Sequence, residues 1–385
     1  MQARIARMDA ASELFPLGIA VGPAHCDRAA ERGELADNLR NGVHTWIWAR
    51  RRMGKTSLIE QVLRDLEPSV ASAGLDLLVV HDAEDFVERL RGCVEQLGAR
   101  LAPRRSSSPA KLAKAFAAWR PEFSVGAMGL RVKLAKSGRP GEGIAEMLLS
   151  ADAAAAAYGR RAVLVMDEFQ QIAALHEGAS RSLEGAVRHA VERAGNLTYV
   201  FSGSEKHLLA SMFEDEDRAL YRLCRKMTLG RIGASDYRAF LDKASRSRWS
   251  RPMASAVIGR ILALTGRHPH YVNALCASLW RMEAPPSEKA VESGWDRLVE
   301  EEAGSNAGRI ARLAPSQRAL LRAIATREDG EPHPTSHAFL ARIRLPVSTG
   351  ARARDALERE DLIQREADGR WTVVDPAMAA WLRRL

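Results

Sequence analysis

The chain has 385 residues, with 57 lysines and arginines against 48 aspartates and glutamates, a net charge of +9 and a hydrophobic share of 46%. That length exceeds one core and suits two or three domains of ordinary globular composition. No apolar run reaches the ~20 residues that span a bilayer, and the first residues do not read as a signal peptide. A membrane protein is therefore excluded and a cytoplasmic one expected.

The cysteines Cys26, Cys93, Cys224 and Cys276 are scattered without metal-type spacing, which points to reduced, mostly buried thiols and no zinc site. The positive balance permits an acidic partner such as nucleic acid and equally fits plain arginine enrichment.

Residues 1–42 form a lead-in with turn-rich Phe15-Pro16-Leu17-Gly18 and Gly22-Pro23, then a helix over Cys26–Asn41 with Leu35 and Leu39 on one face. A strand follows at Val43–Trp48. Next comes Ala49-Arg50-Arg51-Arg52-Met53-Gly54-Lys55-Thr56, and then a helix over Ser57–Leu66. A strand, a tight basic loop and a helix make a phosphate cradle: backbone N–H groups and a helix start surround the oxygens, a lysine reaches the outer phosphates, and a hydroxyl serves Mg²⁺. The pattern G-x-x-x-x-G-K-[ST] is met except that Ala49 replaces the first glycine, so the loop is expected to turn there with a Cβ present. Arg52, Met53, Gly54, Lys55, Thr56 and Ser57 are the expected nucleotide-binding residues.

A second strand is expected at Leu75–Val80 and a helix at Asp85–Leu101. An insertion of about 102–142 follows, with a basic linker at Arg104–Pro109 and a hairpin at Phe123–Leu134. The alanine-rich helix Gly143–Tyr158 leads into Arg161-Ala162-Val163-Leu164-Val165-Met166-Asp167-Glu168, an apolar run ending in two carboxylates. Such a run reads as a central parallel strand, and its carboxyl end is where ligands bind in open α/β sheets. Asp167 would hold Mg²⁺ with Thr56, and Glu168 would act on a water in line with the γ-phosphate. Further strands are expected at Leu197–Ser202 and Met227–Leu229, which completes a parallel sheet flanked by helices.

After residue 230 the strands stop. Helices over Ser235–Lys243, Met253–Thr265, His268–Met282 and Ser287–Glu302 form a small helical domain, and Asn306–Leu313 reads as a connection. Helices over Ala314–Thr326, Ser336–Ile343 and Thr349–Arg359, then strands at Leu362–Arg365 and Trp371–Val374, describe a winged helix. The expected division is 1–230, 231–305 and 306–385.

With these motifs in order, the chain resembles the archaeal-type ATPases of the AAA+/STAND superfamily, in their bacterial form. Cys26 to Leu35 is similar to the family's leading Arg-Glu…Glu-Leu helix. Arg50 to Leu58 resembles its Pro-Arg-Arg-x-Gly-Lys-Thr-Ser-Leu loop, with Arg50 at the proline position. Asp167-Glu168-Phe169-Gln170 resembles its Asp-Glu-Phe-Gln signature. Phe201-Ser202-Gly203-Ser204 with His207-Leu208 is similar to its sensor strand, and Leu220-Tyr221 to a Leu-Tyr pair before the next strand. Thr265-Gly266-Arg267-His268-Pro269-His270-Tyr271 resembles the Gly-Gly-His-Pro-Tyr turn of a helical lid, with Arg267 at the second glycine.

The resemblance implies an AAA+-like parallel sheet, a helical lid and a carboxyl-terminal winged helix. It also implies ATP and Mg²⁺ as ligands, and Pro269 near the base. Ser202 or Ser204 would touch the γ-phosphate or the attacking water. Arg222 is the preferred arginine finger, with Arg218 and Arg225 as alternatives. The implied activity is a slow, switch-like ATP hydrolysis. One downstream role is contact with double-stranded DNA through Arg352, Arg354 and Arg359 of the third winged-helix helix and Arg365 and Arg370 of the wing. The other is a signalling or defence switch acting on a protein partner without DNA. A nucleotide-binding protein without turnover, motivated by Ala49, is a third reading. A homo-oligomer is compatible with each.

Overall fold

The computed structural model describes residues 13–26, 28–102, 110–117, 122–126, 129–133, 143–174 and 177–385. The chain divides into two compact units, one formed by 28–230 and the other by the amino-terminal residues to 27 with 231–385.

The first unit is built on a parallel five-stranded sheet, in the order β2-β5-β6-β1-β7. Its strands are β1 (Thr45–Ala49), β2 (Val70–Asp76), β5 (Arg161–Asp167), β6 (Leu197–Gly203) and β7 (Arg225–Leu229). Side chains alternate across it. Trp46, Trp48, Leu164, Met166, Tyr199 and Phe201 face one core. Ile47, Ala49, Val163, Val165, Val200 and Met227 face the other. Both faces are buried, which is why these strands read as continuous apolar runs. Helices α1 (Ala29–Arg40) and α2 (Lys55–Leu66) contribute Leu35, Leu39, Leu58 and Val62 to the second core. Helices α3 (Ala83–Leu101), α5 (Ile144–Ala157), α6 (Glu177–Val191) and α7 (Lys206–Glu214) cover the aromatic face.

The insertion carries a short α4 (Ala110–Ala115) and a hairpin of β3 (Glu122–Gly126) and β4 (Gly129–Lys133), antiparallel with Phe123 opposite Val132. The linker expected at Arg104–Pro109 lies outside the described residues, apart from the helix start beyond it.

The second strand differs from its expectation. It runs over Val70–Asp76, pairing Val70 with Arg161 and Asp76 with Asp167, and not over Leu75–Val80. Asp76 ends it by accepting a hydrogen bond from the Leu78 N–H at 2.9 Å, which turns Leu77–Val79 into a 3-10 helix. Leu78 and Val79 are left exposed. The strand itself is Val-Ala-Ser-Ala-Gly-Leu-Asp, small residues whose β-propensity is weak and whose place is set by packing.

The second unit is helical: α8 (Ala234–Trp249), α9 (Ser255–Leu264), α10 (Pro269–Leu279) and α11 (Glu288–Ala311), then α12 (Pro315–Ala325), α13 (His337–Arg342) and α14 (Val347–Arg359). The hairpin of β8 (Ile363–Arg365) and β9 (Trp371–Val373) and a last helix α15 (Pro376–Arg384) complete it. Phe15 of the lead-in packs in this unit's core, with ring centroids 5.8 Å from Phe240 and 4.5 Å from Trp280.

The connection expected at Asn306–Leu313 is mostly helix. α11 continues through a buried Asn306 to Ala311, because no proline interrupts it before Pro315, which opens α12. Helix α15 was not anticipated. Its signal was Asp375-Pro376: the Asp375 side chain caps the N–H groups of Ala377 and Met378 at 2.9 and 3.0 Å, with proline in the first turn. Among the described residues no helix is long and apolar enough to cross a membrane.

Candidate active site

The strand order places the carboxyl ends of β1, β5 and β6 side by side. Ala49 is the last residue of β1, opposite Leu229, and is 1% exposed. The turn expected at Ala49 therefore comes after it. A strand residue facing a core has room for a Cβ, so the glycine is dispensable there. The backbone does reverse at Arg52 (φ 64°) and Gly54 (φ 83°), and α2 starts at Lys55. Glycine at 54 removes the strain of a left-handed residue where the loop joins the helix.

Arg28 braces this loop. It is 4% exposed and donates from Nη2 to the Met53 carbonyl at 2.9 Å and to the Gly230 carbonyl at 2.8 Å, while Nη1 pairs with Glu31 at 3.0 Å. The lead-in motif contained Arg28, but its long-range partners left no sequence signal. Arg28→Ala should lose about 3 kcal/mol of unfolding free energy in urea, since hydrogen bonds from a charged group contribute about 1.5–3 kcal/mol each and the one to Met53 is buried. An unchanged midpoint would show that the brace is dispensable.

Six predicted side chains converge around the loop. Lys55 Nζ lies 2.8 Å from Asp167 Oδ1 and 2.9 Å from Glu168 Oε1, with the lysine 7% exposed. Thr56 Oγ1 donates to Asp167 Oδ2 at 3.0 Å, and Ser202 Oγ to Asp167 Oδ1 at 2.6 Å. Glu168 Oε2 accepts from Gln170 Nε2 at 2.6 Å, from Ser204 Oγ at 2.8 Å and from Ser204 N–H at 3.2 Å. The two serines thus divide their work, Ser202 on the aspartate and Ser204 on the glutamate. Glu168 itself has φ 52°, which breaks the strand direction and lets adjacent carboxylates share one lysine.

Burial pushes the Asp167 carboxyl up, but the Lys55 charge and hydrogen bonds from Lys55, Ser202 and Thr56 outweigh it and hold it below its ordinary value. Glu168 behaves alike: burial raises it, while Lys55, Gln170 and Ser204 bring it below the ordinary value. Both are therefore ionised at neutral pH. The site offers one ammonium, two carboxylates, hydroxyl donors and a helix start, a set suited to phosphate and a hard divalent cation.

The remaining predicted residues lie elsewhere. Arg52 is exposed on the loop, Met53 is buried in the core beneath it, and Ser57 is buried in the first turn of α2. Pro269 opens α10 in the other unit, after Gly266 (φ 55°) and Arg267 (φ 59°); Arg267 adopts the left-handed turn despite its side chain. Arg218 is paired with buried Glu184, and Arg225 with Glu34 at 3.2 Å. Arg222 is exposed, with its guanidinium 4.9 Å from the Tyr221 ring centre. None of these three arginines is recorded in contact with Lys55, Asp167 or Glu168 among the described residues. Gln170 closes the Asp-Glu-Phe-Gln signature, and the sequence alone gives it no role.

Solved structures share this fold. A Walker-type ATPase of Pyrococcus abyssi superposes with a TM-score of 0.69, over 96% of this chain and 99% of that one, at 17% identity. The fold is that of the AAA+ ATPases. The ORC2 protein of Aeropyrum pernix, solved in complexes with ADPNP and ADP, shares this AAA+ fold with a TM-score of 0.56 and 13% identity, over 97% and 96% of the two chains. Residues 308–384 match the family described as a probable winged helix domain. No curated protein matches the sequence.

Proposed function

We propose that this protein is a Mg²⁺-dependent ATPase that works as a slow molecular switch. The observation that carries the reading is Lys55 seated between Asp167 and Glu168, with Thr56 and Ser202 on the aspartate. In the reading, the N–H groups of Arg52 to Ser57 cradle the phosphates, and Lys55 leaves the carboxylates for the outer phosphates. The Thr56 hydroxyl and the Asp167 carboxylate are hard oxygen donors 3.0 Å apart, as Mg²⁺ requires. When bound, Mg²⁺ would neutralise charge on the phosphate oxygens. Glu168 takes a proton from the attacking water. Ser202 holds the aspartate in place.

Arg222 is the proposed finger, since among the described residues it is the one of the three candidates without a carboxylate partner. The ADPNP and ADP complexes of the similar A. pernix protein agree with an adenine nucleotide as ligand. The reading is tested by calorimetric titration with ATP–Mg²⁺ and by phosphate release. Absence of both would end it.

Segments 1–230, 231–305 and 306–385 are the proposed functional divisions, and the winged helix is proposed to touch double-stranded DNA. Ala353 and Leu357 are buried, and Arg352 and Arg359 are exposed on α14. Arg354, expected beside Arg352 on the solvent face, is half-buried: it pairs with Asp355 and stacks 5.6 Å from the Trp371 ring centre. It lies one residue from the buried Ala353, so its stem must cover the hairpin.

The informative variant is therefore Arg352→Glu with Arg359→Glu. DNA affinity should fall, and the slope of log K against log salt should shrink by about one to two units. Unchanged binding in fluorescence anisotropy, or none by the wild type at low salt with and without ATP, favours the switch acting on a protein partner. The observation on its side is that Arg354 and Arg370 are already paired with Asp355 and Asp368.

A further inference from the structure

The two oxygens of Glu168 are held differently. Among the described residues Oε1 meets only the Lys55 ammonium, at 2.9 Å, the charge that phosphate would draw away. Oε2 is fixed by the scaffold, through Gln170 Nε2 at 2.6 Å and the Ser204 hydroxyl and N–H at 2.8 and 3.2 Å. Gln170 is 1% exposed, and its own Oε1 has no hydrogen-bond partner among the described residues. A buried carboxamide with an orphan oxygen is destabilising compared with an apolar side chain of equal size. What the carboxamide supplies here is its donor.

The space for that carboxamide comes from β6. A Cβ built at Gly203 would overlap Gln170 Oε1 and stand 3.1 Å from its Cδ. Gly203 has no left-handed φ that would call for glycine on its own account. The residue between the two serines therefore lacks a side chain for the benefit of Gln170.

We propose that Gln170 is a positioning residue: with Ser204 it anchors Glu168 Oε2, so that Oε1 is held toward the water once Lys55 has left it, and the missing side chain at Gly203 makes room for it. The inference rests on the ATPase reading above. Gln170 touches no reacting atom in it and acts through Glu168.

The test uses the full chain with ATP–Mg²⁺ and reads kcat separately from the Kd for a non-hydrolysable ATP analogue. Gln170→Leu keeps a buried apolar side chain of comparable size without the donor, and should lower kcat by about tenfold or more while Kd stays within about twofold. Gly203→Ala should do the same by displacing the carboxamide. The double variant should be no slower than Gln170→Leu alone, because the one overlapping atom a Cβ at 203 would meet is the carboxamide oxygen, which leucine lacks, while Leu209 Cδ1 at 3.4 Å is in ordinary contact. Retained kcat in Gln170→Leu overturns the proposal, as do multiplicative losses in the double variant. A merely structural role predicts a lowered Tm and a raised Kd along with the lost rate, and that pattern overturns it too. Glu168→Gln run alongside separates the two levels. If it is slow and Gln170→Leu is normal, only the positioning role fails; if Glu168→Gln turns over like wild type, Glu168 is not the base and the positioning role falls with it; if the wild type neither binds ATP nor releases phosphate, the ATPase reading itself fails.

Discussion

Glu168→Gln is expected to bind ATP–Mg²⁺ with about wild-type affinity and to hydrolyse it at least about a hundredfold more slowly, the usual weight of a positioned general base. The substitution keeps size and shape but presents one oxygen and one NH₂. Three donors converge on the Oε2 position, so the amide oxygen must take that place and the NH₂ must face Lys55. Two donors then confront each other, and the lysine is loosened from the pair. Loosening does not oppose nucleotide binding, because binding needs Lys55 on the phosphates. Proton acceptance is lost, because an amide nitrogen has no usable lone pair. Calorimetry and phosphate release read the two effects separately, and turnover at the wild-type rate would remove Glu168 from the mechanism.

Lys55→Ala is expected to weaken ATP–Mg²⁺ binding at least about tenfold, equivalent to about 1.4 kcal/mol. It also has a consequence in the nucleotide-free protein. Asp167 and Glu168 lie below their ordinary values of 3.8 and 4.5 although burial pushes both up, and Lys55 supplies the largest opposing contribution. A depressed carboxyl adds stability above its unfolded pKa and loses it as pH falls through the folded value. Without the lysine, burial would dominate and both pKa values would rise. The variant should therefore be less stable than wild type at pH 7, and the gap should narrow as pH falls below the ordinary carboxyl range and the acids protonate. Urea midpoints across that range check the sign. A gap that widens toward acid, or equal nucleotide affinity by calorimetry, would contradict the assignment of Lys55.

The site was legible because its chemistry is local in sequence. Gly54-Lys55-Thr56 and Asp167-Glu168 each sit where a strand ends, and burial on both faces makes those strands plain apolar runs. β2 was misplaced because its residues are small and its end is set by one side chain, Asp76, bonding its own backbone. The role of Arg28 could not be read, since its carbonyl partners at Met53 and Gly230 are joined to it only by the folded topology. Gln170 stood in view within a motif, but its value depends on the missing Cβ of Gly203, a contact between strands. Ala49 looked like a defect in the loop and proved to be the end of a strand.

The last helix has a mechanical consequence. Ala377 and Ala380 of α15 are built into the same core as Tyr271, Leu275 and Trp295. The Tyr271 hydroxyl reaches both oxygens of Asp375 at 2.8 Å, and Arg231 donates to the carbonyls of Gly266 and Val374. α11 meanwhile runs unbroken from one bundle toward the other. α15 also gives Met378 and Leu382 to the core that holds Ala353 and Leu357 of α14, so a rotation imposed on α10 has a packed path to α14 through this one helix. For the same reason, a chain cut at about residue 310 would lose the helix that closes its own bundle and expose an apolar seam along α10, so neither half can be cleanly excised from the other.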